Sequence, residues 1–142
     1  MDTQSVRILI VDDNPRVRQE LAAVLDLAGR RAGLHIEIAG QAGDGREGIE
    51  LARTLRPDVV LLDLELPVLD GYEAARRIKA RAPAPRVVIL SIHGGPVEKE
   101  HARAAGADAF VVKGAHYQIL LNAILAKDES SNPFDLQKGE TQ

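Results

Sequence analysis

Short aliphatic runs alternate with stretches of helical periodicity along most of the chain. Val6-Arg7-Ile8-Leu9-Ile10-Val11, Val59-Val60-Leu61-Leu62, Arg86-Val87-Val88-Ile89-Leu90 and Ala109-Phe110-Val111-Val112 are nearly continuous in apolar residues. Runs of this length, rich in β-branched residues, predict strands buried on both faces. His35 to Ala42 alternates loosely around Ile36 and Ile38 and predicts one more strand, second in order. Helices fill the gaps. Val17, Leu21, Val24, Leu25 and Ala28 recur at helical spacing behind Asn14-Pro15, a capping residue and a proline suited to the first turn. Gly29 and Gly33 are expected to end that helix. After the turn Gly43-Asp44-Gly45 a helix runs to about Leu55, with Ile49, Ala52 and Leu55 inward. Tyr72, Ala75 and Ile78 mark a third helix, closed by Pro83 and Pro85. A weak helix covers about Val97 to Ala105, and His116 to Ala126 forms the last.

Strand and helix thus alternate five times over residues 1–126. The pattern predicts one α/β domain with a parallel sheet covered by helices on both faces. Residues 127–142 are polar, contain Pro133 and Gly139, and are expected to form a flexible tail. In sheets of this kind function sits beyond the carboxyl ends of the strands, at the topological switch point.

That rule selects Asp12 and Asp13, Asp63, Ser91 and Lys113, the residues that end four of the predicted strands. If those strands are neighbours, three carboxylates, a hydroxyl and an ammonium share one pocket. Close carboxylates repel, and a divalent cation relieves the repulsion. Hard oxygen ligands without sulfur or paired imidazole favour magnesium. A lysine opposite the metal and a serine donor complete a clamp for phosphoryl transfer, where positioning and charge neutralisation dominate catalysis. Asp63 is the most central nucleophile, and its product is an aspartyl phosphate. Asp44, Asp58 and Asp70 read as turn or cap residues. His35, His93, His101 and His116 share no zinc-ligand spacing, and Gly40 to Gly45 lacks the glycine spacing of a dinucleotide site.

Composition narrows the class further. The chain has 142 residues, 45% hydrophobic, with only 3% aromatic, so the core must be aliphatic. No cysteine is present, which excludes disulfides and thiolate metal sites. A net charge of −3 gives no general attraction to nucleic acid or anionic membrane. No apolar run approaches the length of a membrane span, and Val6 to Val11 is too short for a signal peptide. A cytoplasmic location is the expectation.

Four motifs carry a family resemblance: Val11-Asp12-Asp13-Asn14, Leu62-Asp63-Leu64-Glu65-Leu66-Pro67 with Asp70-Gly71, Leu90-Ser91, and Phe110-Val111-Val112-Lys113-Gly114. In this order at strand ends, from about Val6 to Leu125, they resemble the receiver domain of two-component response regulators. Asp12-Asp13-Asn14-Pro15 and Val112-Lys113-Gly114 are closest in wording to receivers of the helix-turn-helix, LuxR/NarL-like regulators. The resemblance implies a flavodoxin-like, doubly wound (βα)5 fold with strand order 2-1-3-4-5. It implies Asp63 as phosphoacceptor, served by a histidine kinase or phosphotransfer protein. Asp13, Asp12, Asp63 and the backbone carbonyl of Glu65 would hold Mg2+. Lys113 would pair with Asp63 or the phosphoryl group. Ser91 would swing toward that group, and Phe110 would rotate inward with it.

The chain departs from the family at several places. Glu65 puts another carboxylate near the site and is expected to affect the dephosphorylation rate. Ile92 is bulky where a small residue is common and would narrow access. His93 lies close enough to tune the site. Phe110 lacks a tyrosine hydroxyl, so its switch must work by packing, and Gly114 stands where proline is frequent. Gly94 to Gly106 suits a moving part, with Val97 its only large aliphatic. Ile119, Leu120, Leu121, Ile124 and Leu125 cover more than one narrow face of the last helix, so either all of it packs inward or part of it is free to dock, and a downstream protein partner or self-association is expected through the surface of the last helices. The alternative to a signalling switch is a Mg2+-dependent phosphohydrolase with an aspartate nucleophile, for which Glu65 would be the second acid. A flavin-binding role is disfavoured by the few aromatics. The expectation is therefore a phosphorylation-dependent receiver, not an enzyme beyond its own phosphorylation and dephosphorylation. It acts as a stand-alone receiver or as a fragment of a transcriptional regulator, with no direct nucleic acid binding by this chain.

Overall fold

A computed structural model describes residues 4–126 and 132–136. The elements are β1 (Ser5–Val11), α1 (Pro15–Arg31), β2 (His35–Ala42), α2 (Gly45–Leu55), β3 (Val59–Asp63), α3 (Gly71–Lys79), β4 (Arg86–Ser91), α4 (Pro96–Ala104), β5 (Ala109–Val112) and α5 (Tyr117–Leu125). All strand pairs are parallel, in the order β2-β1-β3-β4-β5. The parallel sheet predicted from the alternation and the doubly wound strand order that the resemblance implies are both observed.

β3 lies at the centre and every residue of it is buried. Its side chains alternate between two cores, as strand geometry requires. Val59 and Leu61 pack with Leu25 and Ala28 of α1 and with Leu120, Leu121 and Ile124 of α5. Val60 and Leu62 pack on the other face with Ala74, Ala75 and Ile78 of α3 and Ala102 of α4. The chain leaves this apolar strand at Asp63, so the acid is fixed from behind by the most buried part of the molecule.

The helix starts follow the capping logic of the sequence. Asn14, Asp44 and Asp70 each accept a hydrogen bond from a first-turn amide of α1, α2 and α3. Asp58, also read as a turn acid, accepts from the Arg7 amide. Gly29 does not end α1, which continues to Arg31. It sits where α1 crosses β2, and a Cβ there would meet Ile36 side-chain carbons at 3.0 Å. Gly33, at φ +73°, is the glycine that makes the turn out of the helix. Val24 is not inward either. It is exposed, and with exposed Leu27 it leaves an aliphatic strip on α1.

The last two helices differ in how much of their surface they bury. In α5, Leu120, Leu121 and Ile124 are buried, and Ile119 and Leu125 pack against the same core half-buried. The five aliphatics therefore face inward or half inward, and the docking surface expected on α5 has no fully exposed large aliphatic to offer. α4 buries only Ala102, and its Val97 is exposed. The low burial expected of this segment is observed.

Most of the expected flexible tail, 127–142, lies outside the described residues. Asn132 to Leu136 are described, and they are packed. Phe134 is 6% exposed within the α3–α4 core, and Leu136 lies half-buried against the core on the other face. This part differs from the expectation because Pro133, Phe134 and Leu136 are apolar inside an otherwise polar stretch.

Three described non-glycine residues, Arg56, Val68 and Ala126, have positive φ, and Val68 is the β-branched one. Val68, in the loop after β3, has φ +72° and is exposed. A β-branched side chain in that region costs on the order of 1–3 kcal/mol. Val68→Gly is expected to raise stability by about 1 kcal/mol after the greater freedom of glycine in the unfolded chain is subtracted. Urea unfolding of the two proteins measures it.

Candidate functional site

Four strand ends meet at the carboxyl edge of the sheet. β1 delivers Asp12 and Asp13, β3 delivers Asp63, β4 delivers Ser91, and β5 leads into Lys113. Asp12, Asp63 and Ser91 are the buried polar residues among those described, at 2%, 5% and 2% exposure. Buried acids are rare without partners, and each of these has them.

Asp63 Oδ1 accepts from the Glu65 amide at 3.1 Å, and Oδ2 lies 3.3 Å from Lys113 Nζ. Asp12 Oδ2 is 2.9 Å from the same ammonium, and Asp12 Oδ1 accepts from the Asn14 amide at 2.9 Å. Lys113 is aimed by its own backbone, because its N–H donates to the Ser91 carbonyl at 2.8 Å and extends the β4–β5 ladder past its end. Ser91 Oγ accepts from the His93 amide at 3.0 Å.

Asp13 is exposed, yet its carboxylate belongs to the cluster. One oxygen from each of Asp12, Asp13 and Asp63 lies within 4.8 Å of the others. Three carboxylates therefore face a single ammonium. Burial pushes the Asp63 carboxyl above the ordinary carboxylate range, and the negative charge of Asp12 adds to this. The Glu65 amide and Lys113 pull the other way without cancelling it. At Lys113, burial opposes the charge, but the hydrogen bond to Asp12 and the charge of Asp63 outweigh it, and the ammonium titrates above its usual value. The lysine stays charged, and the acids have negative charge to spare. A donor set of hard oxygens, free of sulfur and imidazole, fits a small divalent cation.

Three of the residues read as departures, Glu65, Ile92 and His93, are exposed beside the site. Glu65 and His93 are exposed, and His93 Nε2 lies 3.5 Å from Glu65 Oε1 across the mouth. Ile92 between them is exposed as well, so its bulk stands at the rim rather than in the pocket. Phe110 is not at the pocket. It lies three residues before Lys113, fully buried in the α3–α4 core. Gly114 has φ +90°, a turn that glycine makes without strain.

One positioning residue escapes the strand-end rule. Arg18 of α1 donates from its guanidinium to the Asp12 carbonyl at 2.6 Å and to Gln41 Oε1 at 3.1 Å. It clamps the β1–α1 loop to β2. Its signal was a cation one turn inside α1, four residues after the Asn14 cap.

Comparison with known proteins agrees with this geometry. The sequence model of the response regulator receiver domain matches residues 8–125. The chain is 41% identical over 126 residues to a protein-glutamate methylesterase/protein-glutamine glutaminase of Symbiobacterium thermophilum, covering 87% of this chain and 33% of that protein. It is 39% identical over 118 residues to the transcriptional regulatory protein PdtaR of Mycobacterium tuberculosis, covering 83% of this chain and 54% of that one. It is 32% identical over 117 residues to the nitrate/nitrite response regulator NarL of Escherichia coli, covering 82% of this chain and 52% of that one. The chain thus spans about half the length, or less, of these relatives. Among solved structures, a LuxR-family two-component response regulator from Aurantimonas superposes with a TM-score of 0.78 at 34% identity, covering 91% of this chain and 89% of that one. The response regulator domain of Thermotoga maritima CheB gives 0.75 at 30% identity, covering 91% and 100%.

Proposed function

Since the chain belongs to the response regulator receiver domain family, we propose that its signalling step is phosphorylation of Asp63 by a histidine kinase or phosphotransfer protein. The phosphohydrolase alternative does not fit that family. The observation that carries the assignment is the joint placement of a buried Asp63 with Lys113 and the Asp12–Asp13 pair at one switch point. In the step, an Asp63 carboxylate oxygen attacks phosphorus. The bond from phosphorus to the donor imidazole nitrogen breaks, and that nitrogen keeps the electron pair and takes up a proton. Lys113, held charged between Asp12 and Asp63, offers its ammonium to a phosphoryl oxygen. The Glu65 amide holds Asp63 Oδ1, which fixes the direction of attack.

Asp12, Asp13 and Asp63 would hold a magnesium ion with the Glu65 backbone carbonyl, and the ion would neutralise negative charge on the phosphoryl oxygens. Ser91 would donate to the phosphoryl group, and Phe110 would follow by repacking. Glu65 and His93 at the rim would tune water access and so the lifetime of the acyl phosphate. The phosphodonor would dock beside Lys113, in the apolar groove of about 450 Å3 lined by Val17, Leu21 and Val24 of α1 and by Gly114 and Tyr117. The output is proposed to be a protein contact rather than DNA binding by these residues. No described helix is long and apolar enough to cross a membrane.

Intact mass after incubation with acetyl phosphate and magnesium tests the assignment. One added phosphoryl group, absent without magnesium and absent in Asp63→Asn, is the expected result. An adduct that persists in Asp63→Asn would move the acceptor elsewhere. The metal set is tested separately. Asp13→Ala is expected to weaken magnesium binding at least about tenfold, a loss that even outer-shell changes reach. Calorimetric titration with magnesium alone reads this, and unchanged affinity would remove Asp13 from the set.

A further inference from the structure

The edge of the sheet at β5 is covered by the chain's own C-terminal segment, and the cover is a specific one. The Phe110 N–H points away from β4 and donates to the Pro133 carbonyl at 3.0 Å. An edge strand presents such unpaired groups as docking points. The Phe134 side chain is buried in the core shared by Phe110 and Ala102. The Arg103 guanidinium lies 4.7 Å over the Phe134 ring, a cation–π contact. Lys99 Nζ is 3.0 Å from Asp135 Oδ1. The segment is also folded on itself, because Asn132 Oδ1 accepts from the Phe134 amide and the Asp135 amide donates to the Asn132 carbonyl, both at 2.9 Å.

Two of these grips, Lys99 and Arg103, stand on α4. The third, the Phe110 amide, stands on β5. The segment therefore bridges the helix with least burial and a strand anchored in the sheet. α4 is reached from the site through the short loop after Ser91, in which Ser91 Oγ is held by the His93 amide. On the proposed reading of the site, a Ser91 hydroxyl drawn to a phosphoryl group on Asp63 would pull on this loop, and Phe110 would repack in the core that seats Phe134, so that the seat would no longer match its occupant.

We propose that the α4–β5 edge is a docking site for a short segment of the pattern Pro-aromatic-acid, that Asn132 to Leu136 is its resident occupant, and that phosphorylation of Asp63 lowers its occupancy. This rests on the reading of Asp63 as phosphoacceptor. Release uncovers the Phe110 amide, the ring seat of Phe134 and the cations Lys99 and Arg103 together. A partner peptide with a carbonyl, an aromatic ring and an acid in the same order fits that surface. Reciprocity requires that the docked segment oppose the phosphorylated form by the same factor by which phosphorylation opposes docking.

The chain has no tryptophan, so Phe134→Trp places a single fluorescent reporter in the seat. Its emission is expected to be that of a buried indole and to move to that of an exposed one when magnesium and beryllofluoride, a stand-in for the phosphoryl group, are added. The shift is expected to vanish in the same variant carrying Asp63→Asn. In the unsubstituted chain, the Phe110 amide followed by nitrogen-15 NMR should be protected from exchange and lose protection on the same addition. Phe134→Ala should tighten beryllofluoride binding about fivefold or more. An exposed indole together with a freely exchanging Phe110 amide before any addition would overturn the docking. A bound fluorine-19 resonance with unmoved emission and unmoved amide would overturn the coupling alone. Absence of any bound fluorine-19 resonance would overturn the phosphoacceptor reading and the coupling with it, and would leave the docking to stand on the resting emission.

Discussion

Asp63→Asn is expected to abolish phosphoryl uptake and at the same time to leave a more stable fold at neutral pH. The first half follows from chemistry, since an amide oxygen is no substitute for a carboxylate nucleophile. The second half follows from the environment. Asp63 is 5% exposed and shares one ammonium with Asp12. Burial, then the charge of Asp12, raises its carboxyl pKa against the weaker pull of the Glu65 amide and Lys113. A carboxyl raised in the folded state contributes stability that is fully present below its unfolded value, about 3.9, and is lost as pH rises through the folded value. At pH 7 the fold therefore carries an ionised acid at a cost. Asparagine keeps an oxygen for the Glu65 amide and removes the charge, and Lys113 retains Asp12. The gain is expected on the order of 1 kcal/mol, roughly 4 °C in melting midpoint for a domain of this size. It should shrink as pH is lowered through the raised folded value of Asp63, below which the wild-type acid is itself protonated. Thermal unfolding of both proteins at pH 7 and near pH 4 measures the difference. An asparagine variant less stable than wild type at pH 7 would mean that Lys113 outweighs burial at this position.

The strand ends were legible because a parallel sheet leaves little choice. A strand buried on both faces must be apolar throughout, so the first polar residue after Leu62 or Leu90 marks where the chain leaves the core. Asp63 and Ser91 fall at those points, and the right-handed crossovers bring them to one edge. The capping acids were legible for a similarly local reason. What the sequence hid was set by contacts between distant residues. Val24 and Leu27 share the spacing of inward residues, and only the crossing of α1 over the sheet decides that both are exposed. Gly29 reads as a helix stop, yet its role is to let α1 approach Ile36 of β2. Arg18 reads as a solvated cation until the β1–α1 loop folds back over it. Phe134 lies in a stretch whose average polarity predicts no order. Its burial depends on the Phe110 amide, Lys99 and Arg103, which the fold brings together at an edge that composition cannot locate.

Gly71→Ala is expected to damage both the fold and the site, although Gly71 touches no reacting atom. Gly71 opens α3 and returns the chain to the end of β3, where its N–H donates to the Leu64 carbonyl at 3.0 Å. A Cβ built there would meet the Asp63 carbonyl oxygen in hard overlap and the Leu64 Cα at 2.6 Å. Both atoms are backbone, so no side chain can turn aside. β3 cannot retreat, because it is the central strand, paired on one side with β1 and on the other with β4. The start of α3 must move instead, and the Asp63–Leu64 peptide that aims the carboxylate and the Glu65 amide moves with it. The expected cost is about 3 kcal/mol, in the upper range for overpacking against a rigid wall. A misaimed nucleophile should also slow phosphorylation by acetyl phosphate by roughly a hundredfold, the scale of a 1 Å displacement. Gly33→Ala is the matched control. Gly33 carries the positive φ that Gly71 lacks, and a Cβ there meets nothing within 4 Å, so only the backbone penalty of about 1–2 kcal/mol applies and phosphorylation should be unchanged. Urea unfolding and the phosphorylation rate of the two variants together separate close approach from conformational preference. A Gly71→Ala protein that loses no more stability than Gly33→Ala and phosphorylates at the wild-type rate would show that the loop after β3 has slack, and that Asp63 is aimed by Lys113 and the acid pair rather than by the backbone.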